Sequence, residues 1–386
     1  MKNIIPFFLL VALIGSSCRY VKSIVSEKTP HEKYAKKLED NNLDDTPEGR
    51  QWVAVAKRAL EDAQSIQLPY RQNGYFHSDR PHSLALQFKV NFGERIIFKL
   101  DKKAGTHFVI FSDLFKQNEA SSPILSADTS SNQFSIDIDE TGTYLLRLQP
   151  KLYDKGEYTL SVSVGPSLGF PVSGSKANVG SYWGDNRDGG KRLHEGVDIF
   201  APKLTPAVAA ADGVVTGVKE GGLGGKQVWL KVNDKNAFLY YAHLDKQLVQ
   251  QGQSVKKGEV VGLVGNTGNA KYTPSHLHFG VYTFNGPVNP LPFVNRSIKT
   301  APAVPARNLS GSLRLIKSQK TAEGILIKAN TELVPLAVNA KGYFAELPDG
   351  NIIQTPFAFV KVMQQPVRQT QTLAGISKDR EKNDKN

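Results

Sequence analysis

The stretch "RLHEGVDIF", residues 192–200, places a histidine and an aspartate four positions apart. A protease helix of the type H-E-x-x-H would need a second histidine where Asp198 stands. Gly196 and the β-branched residues on either side of Asp198 disfavour a helix. The stretch therefore predicts a turn that enters a strand, with His194 and Asp198 as candidate metal ligands.

The spacing of these two residues limits how they can act together. In a fully extended chain, His194 and Asp198 would lie about 13 Å apart, at roughly 3.3 Å per residue. Both reach one ion only if the chain bends, and Gly196 permits that bend. The site therefore needs a further ligand from another part of the chain.

A second histidine motif lies in "SHLHFGVY", residues 275–282. On a strand, His276 and His278 face the same side, about 6.5 Å apart. Leu277 and Phe279 then face a core. Two histidines on one face can serve one site in different roles, because one binds the metal while its neighbour handles a proton.

A fourth histidine lies in "FLYYAHLDK", residues 238–246, where strand alternation predicts that Tyr241 and His243 share a face. The three segments together supply four imidazoles and one carboxylate, a set far more specific than any one motif alone. Three other histidines stand at no metal-ligand spacing and are interpreted as surface or structural residues, namely His77, His82 and His107.

The motifs occur in the order "HEGVDIFAP", "TPAVAAADGVV", "YYAHL", "GQSVKKGEVVGLVGNTGNA" and "SHLHFGV". In this order they resemble the LytM/lysostaphin-type zinc endopeptidases, which cut peptidoglycan. The resemblance implies a β-rich catalytic domain in which His194, Asp198 and His278 bind one zinc ion. It also implies that His243 and His276 form the catalytic pair beside the ion.

The chemistry of the implied ligand set agrees with catalysis. Two imidazoles and one carboxylate leave the fourth zinc position to water, as in catalytic rather than structural sites. Zinc lowers the pKa of such a water to near 7, and the activated water attacks an amide carbonyl. His276 would accept or steer the proton and His243 would stabilise the oxyanion, although the sequence leaves these two roles interchangeable.

These observations predict a secreted zinc metalloendopeptidase that hydrolyses amide bonds in peptidoglycan stem peptides or cross-bridges. Two alternatives stay open. One is a wall-binding activator of other hydrolases, because the resembled family includes inactive relatives that have lost ligands, although none of the five site positions is lost here. The other is a secreted metalloprotease that acts on proteins.

The N-terminus, "MKNIIPFFLLVALIGSSC", has a positive start, an apolar run and a small-residue exit, which is typical of a secretory signal. Cys18 is the only cysteine and resembles the lipidated first residue of a bacterial lipoprotein. We predict a signal over residues 1–18, a lipid anchor on Cys18, and export as a membrane-anchored lipoprotein or to the periplasm or cell envelope. Residues 19–67 are predicted to form a polar tether and then an amphipathic helix that begins after Thr46.

Changes of composition along the chain predict a mainly β, multidomain protein. Alternating strands such as "QFSIDID" and "TYLLRLQ" predict a β-sandwich accessory domain over residues 68–167. The glycine- and valine-rich residues 171–297 form the predicted zinc endopeptidase domain. Short strands after a Pro/Ala linker resemble a small SH3-like barrel over residues 308–363. The polar residues 364–386 are predicted to be a disordered tail.

The formal net charge of +12 favours anionic partners, namely nucleic acid, membrane headgroups or an acidic cell-wall polymer. No nucleic-acid-binding signature accompanies this charge, and the lysines are spread along the sequence rather than clustered in a stripe. We therefore predict no nucleic-acid partner. The resemblance implies peptidoglycan as the partner, and the predicted lipid anchor implies a membrane contact.

Overall fold

The computed structural model describes residues 28–103, 108–297, 301–321 and 324–363. The described secondary structure is mainly β, as predicted. The predicted signal with Cys18, the predicted tail and His107 lie outside the described residues, so those interpretations stay predictions. Helices of the described part are too short or too polar to span a membrane.

Two helices precede the β structure. Helix α1 (Pro30–Asp40) begins at a capping box, in which the side chains of Thr29 and Glu32 each accept a hydrogen bond from the other's backbone amide. Helix α2 (Pro47–Glu61) has Thr46 as its N-cap and matches the predicted amphipathic helix. The segment predicted as a polar tether thus contains α1. The capping signal of α1 was present in the sequence, but the helix has too few apolar positions to give a clear amphipathic pattern.

The two helices pack on the β structure through Trp52, which is 1% exposed. The Trp52 indole donates a hydrogen bond to the Pro150 carbonyl at 2.9 Å. The His31 ring stacks on Trp52 with 4.6 Å between ring centroids, and its Nε2 lies 2.7 Å from Gln149 Oε1. The Gln149 amide in turn donates to the Trp52 carbonyl. One hydrogen-bonded network therefore joins both helices to a strand.

We predict that the stability of this helical layer depends on pH through His31. Burial, followed by the nearby Arg147 charge, lowers the pKa of His31 from its ordinary 6.5 to about 4. As the pH falls below 6.5, the unfolded chain takes up a proton on His31 that the folded chain accepts only near pH 4. The free energy of unfolding should therefore fall across this window, by on the order of 3 kcal/mol.

The variant His31→Phe isolates this contribution, because phenylalanine keeps a ring against Trp52 and cannot titrate. Thermal unfolding of both proteins between pH 7 and pH 4 is the measurement. The midpoint of the wild type should fall more steeply with decreasing pH than the midpoint of the variant. Equal slopes in the two proteins would contradict the prediction.

Two facing sheets form a β-sandwich after the helices. Its strands are β1 (Gln64–Ser65), β2 (Tyr70–Phe76), β3 (Leu84–Val90), β4 (Glu94–Lys102), β5 (Ile110–Lys116), β6 (Leu125–Ser126), β7 (Gln133–Asp137), β8 (Gly142–Pro150) and β9 (Gly156–Pro166). One sheet has the order β1-β3-β8-β5-β6, and the other contains β2-β9-β4-β7. Leu86 and Leu146 from the first sheet meet Phe98 and Leu160 from the second in one core.

The region that follows has a sheet and a core of its own. Its strands are β10 (Asn178–Ser181), β11 (Asn186–Arg187), β12 (Arg192–Leu193), β13 (Val197–Phe200), β14 (Pro206–Val208), β15 (Gly213–Glu220), β16 (Lys226–Val232), β17 (Phe238–Gln247), β18 (Ser254–Val255), β19 (Val260–Val264), β20 (His276–Thr283) and β21 (Gly286–Val288). The main sheet has the order β10-β13-β20-β17-β16-β15-β18. Val197 and Ile199 of β13 and Leu277 and Phe279 of β20 are fully buried in the core. The residues that alternate with them on these strands therefore lie on the opposite face of the sheet.

Helix α3 (Leu291–Val294) attaches this middle region to the sandwich. Phe293 is 2% exposed, and its ring centroid lies 4.9 Å from that of Phe92. A Cβ atom added at Gly93 would stand 2.3 Å from the Phe293 ring, so only glycine fits there. Lys235 also donates to Asp137 of β7 at 2.6 Å. The two regions therefore share both an apolar and an ionic contact.

The C-terminal segment continues one sheet of the sandwich. Its strands are β22 (Ser312–Leu315), β23 (Gln319–Lys320), β24 (Leu326–Ile327), β25 (Glu332–Val338), β26 (Gly342–Glu346), β27 (Ile352–Pro356) and β28 (Val360–Met363). Strand β25 pairs antiparallel with β2, with Gly74 opposite Ala337. The sheet therefore runs β27-β26-β25-β2-β9-β4-β7 without a break. The interpretation of residues 308–363 as an SH3-like barrel stays a prediction.

Candidate metal centre

His194 lies in the short turn between strands β12 and β13, in agreement with the sequence analysis. Its backbone amide donates to the Asp185 carbonyl, and its carbonyl accepts from the Gly184 amide, so both sides of the turn are held. The ring Nδ1 donates to the Tyr182 carbonyl at 2.8 Å. Because Nδ1 carries the proton, Nε2 of the neutral ring has a free lone pair, which faces Asp198.

Asp198 and His278 stand opposite each other on two neighbouring strands. Strands β13 and β20 pair antiparallel, with Asp198 opposite His278 and Phe200 opposite His276. Cross-strand partners project from the same face of a sheet, with their Cβ atoms about 5 Å apart. The pairing thus brings two motifs that are distant in sequence onto one surface.

Three candidate ligand atoms converge on this surface. His194 Nε2 lies 3.0 Å from Asp198 Oδ1 and 2.9 Å from His278 Nδ1, and the last two atoms are 3.0 Å apart. Two nitrogen lone pairs and a carboxylate oxygen repel one another at this spacing unless a proton or a cation lies among them. A tetrahedral zinc ion with bonds of about 2.0–2.1 Å sets its ligand atoms about 3.3 Å apart, so a small expansion suffices. The donor set therefore fits zinc.

The protonation states at this cluster suit metal binding. Burial alone would raise the pKa of Asp198, but the close approach of the His194 and His278 rings outweighs burial and holds that pKa well below its usual range. Burial lowers the pKa of His278, although the Asp198 charge opposes this shift. At neutral pH Asp198 is therefore anionic and His278 neutral, which are the forms that ligate metals.

The two remaining histidines of the predicted site border the cluster without joining it. His276 Nε2 lies 3.9 Å from Asp198 Oδ1, and its Nδ1 donates to the Pro274 carbonyl at 2.8 Å. Nδ1 of His243 donates to the Thr267 carbonyl at 2.9 Å. The two rings lie 5.0 Å apart between centroids. Each neutral ring therefore has an unprotonated Nε2, which must accept a proton before it can donate one.

His243 reaches the site because strand β17 carries a bulge. Lys226 pairs with Leu244 and Val228 pairs with Tyr241, so β17 contains one extra residue between these pairs. His243 itself has a φ of 60°. Tyr241 is fully buried in the core, whereas His243 lines the groove. The prediction that Tyr241 and His243 share a face is therefore wrong, because the bulge interrupts strand alternation.

Gly196 serves the site in a way that the sequence did not indicate. A Cβ atom at this position would stand 2.6 Å from the His278 ring and 2.7 Å from the Phe279 carbonyl oxygen. Its backbone is not in the left-handed region that favours glycine. The position therefore requires glycine because the His278 ring approaches the main chain, and not because of an unusual backbone angle.

All five predicted site residues line one groove of about 560 Å³. Its described lining residues all lie between positions 181 and 282, so the middle region alone forms it. The volume is typical of sites that hold a small ligand or a short segment of a longer one. Arg187, Tyr240 and Tyr282 also line the groove, and the sequence analysis missed them. Single basic or aromatic residues carry no spacing signal by which they could have been found.

Comparisons with known proteins connect this groove to a family. Residues 192–290 match peptidase family M23. An L-Ala–D-Glu endopeptidase of Bacillus subtilis is 39% identical over 114 residues, which are 28% of this chain and 35% of that protein. The peptidoglycan DD-endopeptidase ShyA of Vibrio cholerae is 31% identical over 140 residues, which are 36% of this chain and 30% of that protein.

The chain is also similar to solved structures. The catalytic domain of the antimicrobial peptidase lysostaphin from Staphylococcus simulans is 33% identical, and the match covers 30% of this chain and 90% of that one, with a TM-score of 0.28. The chain spans about a third of the length of the two curated relatives described above. The family match therefore lies within the middle region.

Proposed function

We propose that this chain, whose residues 192–290 form a peptidase family M23 domain, is a zinc metalloendopeptidase that hydrolyses amide bonds in peptidoglycan stem peptides or cross-bridges. The convergence of His194, Asp198 and His278 ligand atoms to within 3.0 Å of one another carries the proposal. Two curated relatives that bear the names of an L-Ala–D-Glu endopeptidase and a peptidoglycan DD-endopeptidase support the choice of substrate.

Three side chains would hold the metal, through Nε2 of His194, Oδ1 of Asp198 and Nδ1 of His278. When bound by two imidazoles and one carboxylate, zinc supplies a Lewis acid with an open position that lowers the pKa of water and polarises a carbonyl. The chain's own contribution is to hold these three donors at one point. Asp198 also contributes the negative charge that draws a cation into a largely buried site.

The proton chemistry belongs to His276 and His243. The Nδ1 proton of His276 is held by the Pro274 carbonyl, so its Nε2 is the atom that accepts a proton from the attacking water. The same nitrogen then returns the proton to the leaving amine. His243 is held in the same way by Thr267, so it can donate to an oxyanion only after its own Nε2 has taken up a proton. His276 is therefore the preferred base, since its Nε2 lies 3.9 Å from the ligand oxygen of Asp198.

Digestion of defined cross-linked muropeptides by the purified full-length protein tests the proposal. We expect products whose masses correspond to hydrolysis of one amide bond. A chelator should stop the reaction and added zinc should restore it, because the cluster depends on the ion. Casein in a parallel reaction should stay intact.

Two results would contradict the proposal, and each points to one alternative. A folded, zinc-loaded protein that leaves muropeptides intact but stimulates another wall hydrolase would be an activator. A protein that digests casein and leaves muropeptides intact would be a secreted protease of different specificity.

The proposed setting of this reaction is the cell envelope. It rests on the N-terminal signal and on Cys18 as the site of a lipid anchor, both of which are predictions from the sequence. The net charge of +12 supports attraction to an anionic wall or membrane surface.

A further inference from the structure

Among the arginine and lysine residues of the described chain, Arg187 alone forms a hydrogen bond with a candidate metal ligand. It lies at the end of strand β11, and its Nη2 donates to Asp198 Oδ2 at 2.9 Å. The other carboxylate oxygen, Oδ1, faces His194 Nε2 and His278 Nδ1, each at 3.0 Å. One oxygen of Asp198 therefore accepts a hydrogen bond from Arg187, and the other faces the two candidate ligand histidines.

Arg187 is itself held in place by its neighbours. Its Nη2 also donates to Ser181 Oγ at 2.5 Å, and that hydroxyl donates to Asp185 Oδ2 at 2.8 Å. Ser181 is the cross-strand partner of Asp198 in the pairing of β10 with β13. A single chain of hydrogen bonds therefore runs from Asp185 through Ser181 and Arg187 to the ligand carboxylate.

We infer that Arg187 is a positioning residue, which fixes the Asp198 carboxylate so that Oδ1 alone is presented to the metal. This inference rests on the proposed zinc site, but it is independent of which bond is cut. A carboxylate with both oxygens free can rotate about its terminal torsion, which is broad. A partner on the outer oxygen removes that freedom, and loss of such a partner typically costs 10- to 100-fold in metal affinity.

The positive charge of Arg187 has the opposite effect on zinc affinity from its positioning contact. A guanidinium near a divalent cation repels it, so removal of the charge alone should strengthen zinc binding. Removal of a positioning contact should weaken zinc binding. The sign of the change in affinity therefore separates the two effects.

Strand pairing supplies a matched control. Arg192 is the cross-strand partner of Arg187 on β12 and lines the same groove, but its Nε pairs with Asp188 at 2.6 Å. No contact joins it to Asp198 in the described structure. Arg192→Met therefore removes a similar charge from the same hairpin without touching a ligand.

The experiment measures the zinc dissociation constant of the full-length protein by competition with a chromogenic chelator. We expect Arg187→Met to bind zinc roughly 10- to 100-fold more weakly than the wild type. Arg187→Lys should lie between them, because an ammonium can make one bond to Oδ2. Arg192→Met should match the wild type or bind slightly more tightly. The visible absorption of the cobalt-substituted protein should change in Arg187→Met and not in Arg192→Met.

Equal or tighter zinc binding by Arg187→Met would overturn the inference, and so would equal weakening in Arg187→Met and Arg192→Met. If Arg187→Met does not fold in the metal-free state, as judged by circular dichroism, Arg187→Lys decides the question by the same comparison. Muropeptide digestion by the wild type is scored separately. If zinc affinity depends on Arg187 as expected but the wild type cuts no muropeptide, the proposed function is refuted and the inference stands.

Discussion

Replacement of His278 by alanine is expected to remove zinc binding and peptidase activity together. His278 Nδ1 lies within 3.0 Å of both other candidate ligand atoms, and its loss leaves only His194 and Asp198. Structural zinc binds to zinc-finger peptides with a free energy on the order of 10–16 kcal/mol. One of three protein ligands therefore accounts for several kcal/mol of the binding free energy. Zinc affinity should therefore fall by about a thousandfold, since every 1.4 kcal/mol is a factor of ten.

Zinc content after gel filtration and the rate of muropeptide digestion are the two measurements for this variant. His278→Gln is measured as a second variant, because glutamine fills more of the space against Gly196 than alanine does and so disturbs the packing less. His77→Ala is the control for the loss of an imidazole, since His77 bonds to the Pro335 carbonyl outside the groove. A His278→Ala protein that retains one zinc ion per chain would remove His278 from the ligand set.

The variant His276→Ala should behave differently, with zinc retained and turnover lost. His276 lies outside the cluster of three ligand atoms, but its Nε2 borders that cluster at 3.9 Å from Asp198 Oδ1. The loss of a positioned acid–base group typically reduces a rate by about 10²- to 10⁴-fold. We therefore expect kcat to fall by a factor in this range, while zinc content stays at the wild-type level.

Zinc content and kcat are measured on the same protein preparation, so that the two effects can be separated. His276 is buried and its ring lies 5.2 Å from that of Phe200, so His276→Gln is included as a variant that disturbs the packing less. Loss of zinc in both variants would show that the ligand assignment is wrong. Full turnover in both would leave His243 as the residue that handles the proton.

The sequence predicted those parts of the site that follow from local geometry. Alternation on a strand correctly put His276 and His278 on one face and Leu277 in the core. The turn before Asp198 was also predicted, because glycine and β-branched residues exclude a helix. The assignment of roles to these residues came from a resemblance and stays a proposal.

Features that depend on contacts between distant segments could not be predicted. The bulge that turns His243 toward the groove arises from the register between β16 and β17, which no local pattern encodes. The contact of Arg187 with Asp198 likewise depends on how the β11–β12 hairpin packs beside β13. Arg187 was one of many basic residues in the sequence, and only its position in space distinguishes it.

The same division applies to the fold. The sandwich strands were visible as alternating runs, and helix α2 carried both a cap and an apolar face. Strand β2 was missed, since "YRQNGYF" contains polar residues and a glycine that weaken the signal. Gly74 in that strand is required because the Tyr158 ring passes over it, where a Cβ atom would stand 2.1 Å away. That requirement comes from a residue more than eighty positions away.

The continuous sheet across β2 and β25 determines where this protein can be shortened. Removal of the residues after 300 would leave Asn73 and Gly74 without their backbone partners and would expose a new edge to solvent. It would also uncover apolar surface, because Phe344 is 1% exposed and belongs to the sandwich core. Bare edges recruit strands from other molecules, so a shortened chain would precipitate as aggregates instead of yielding a smaller enzyme for crystallisation.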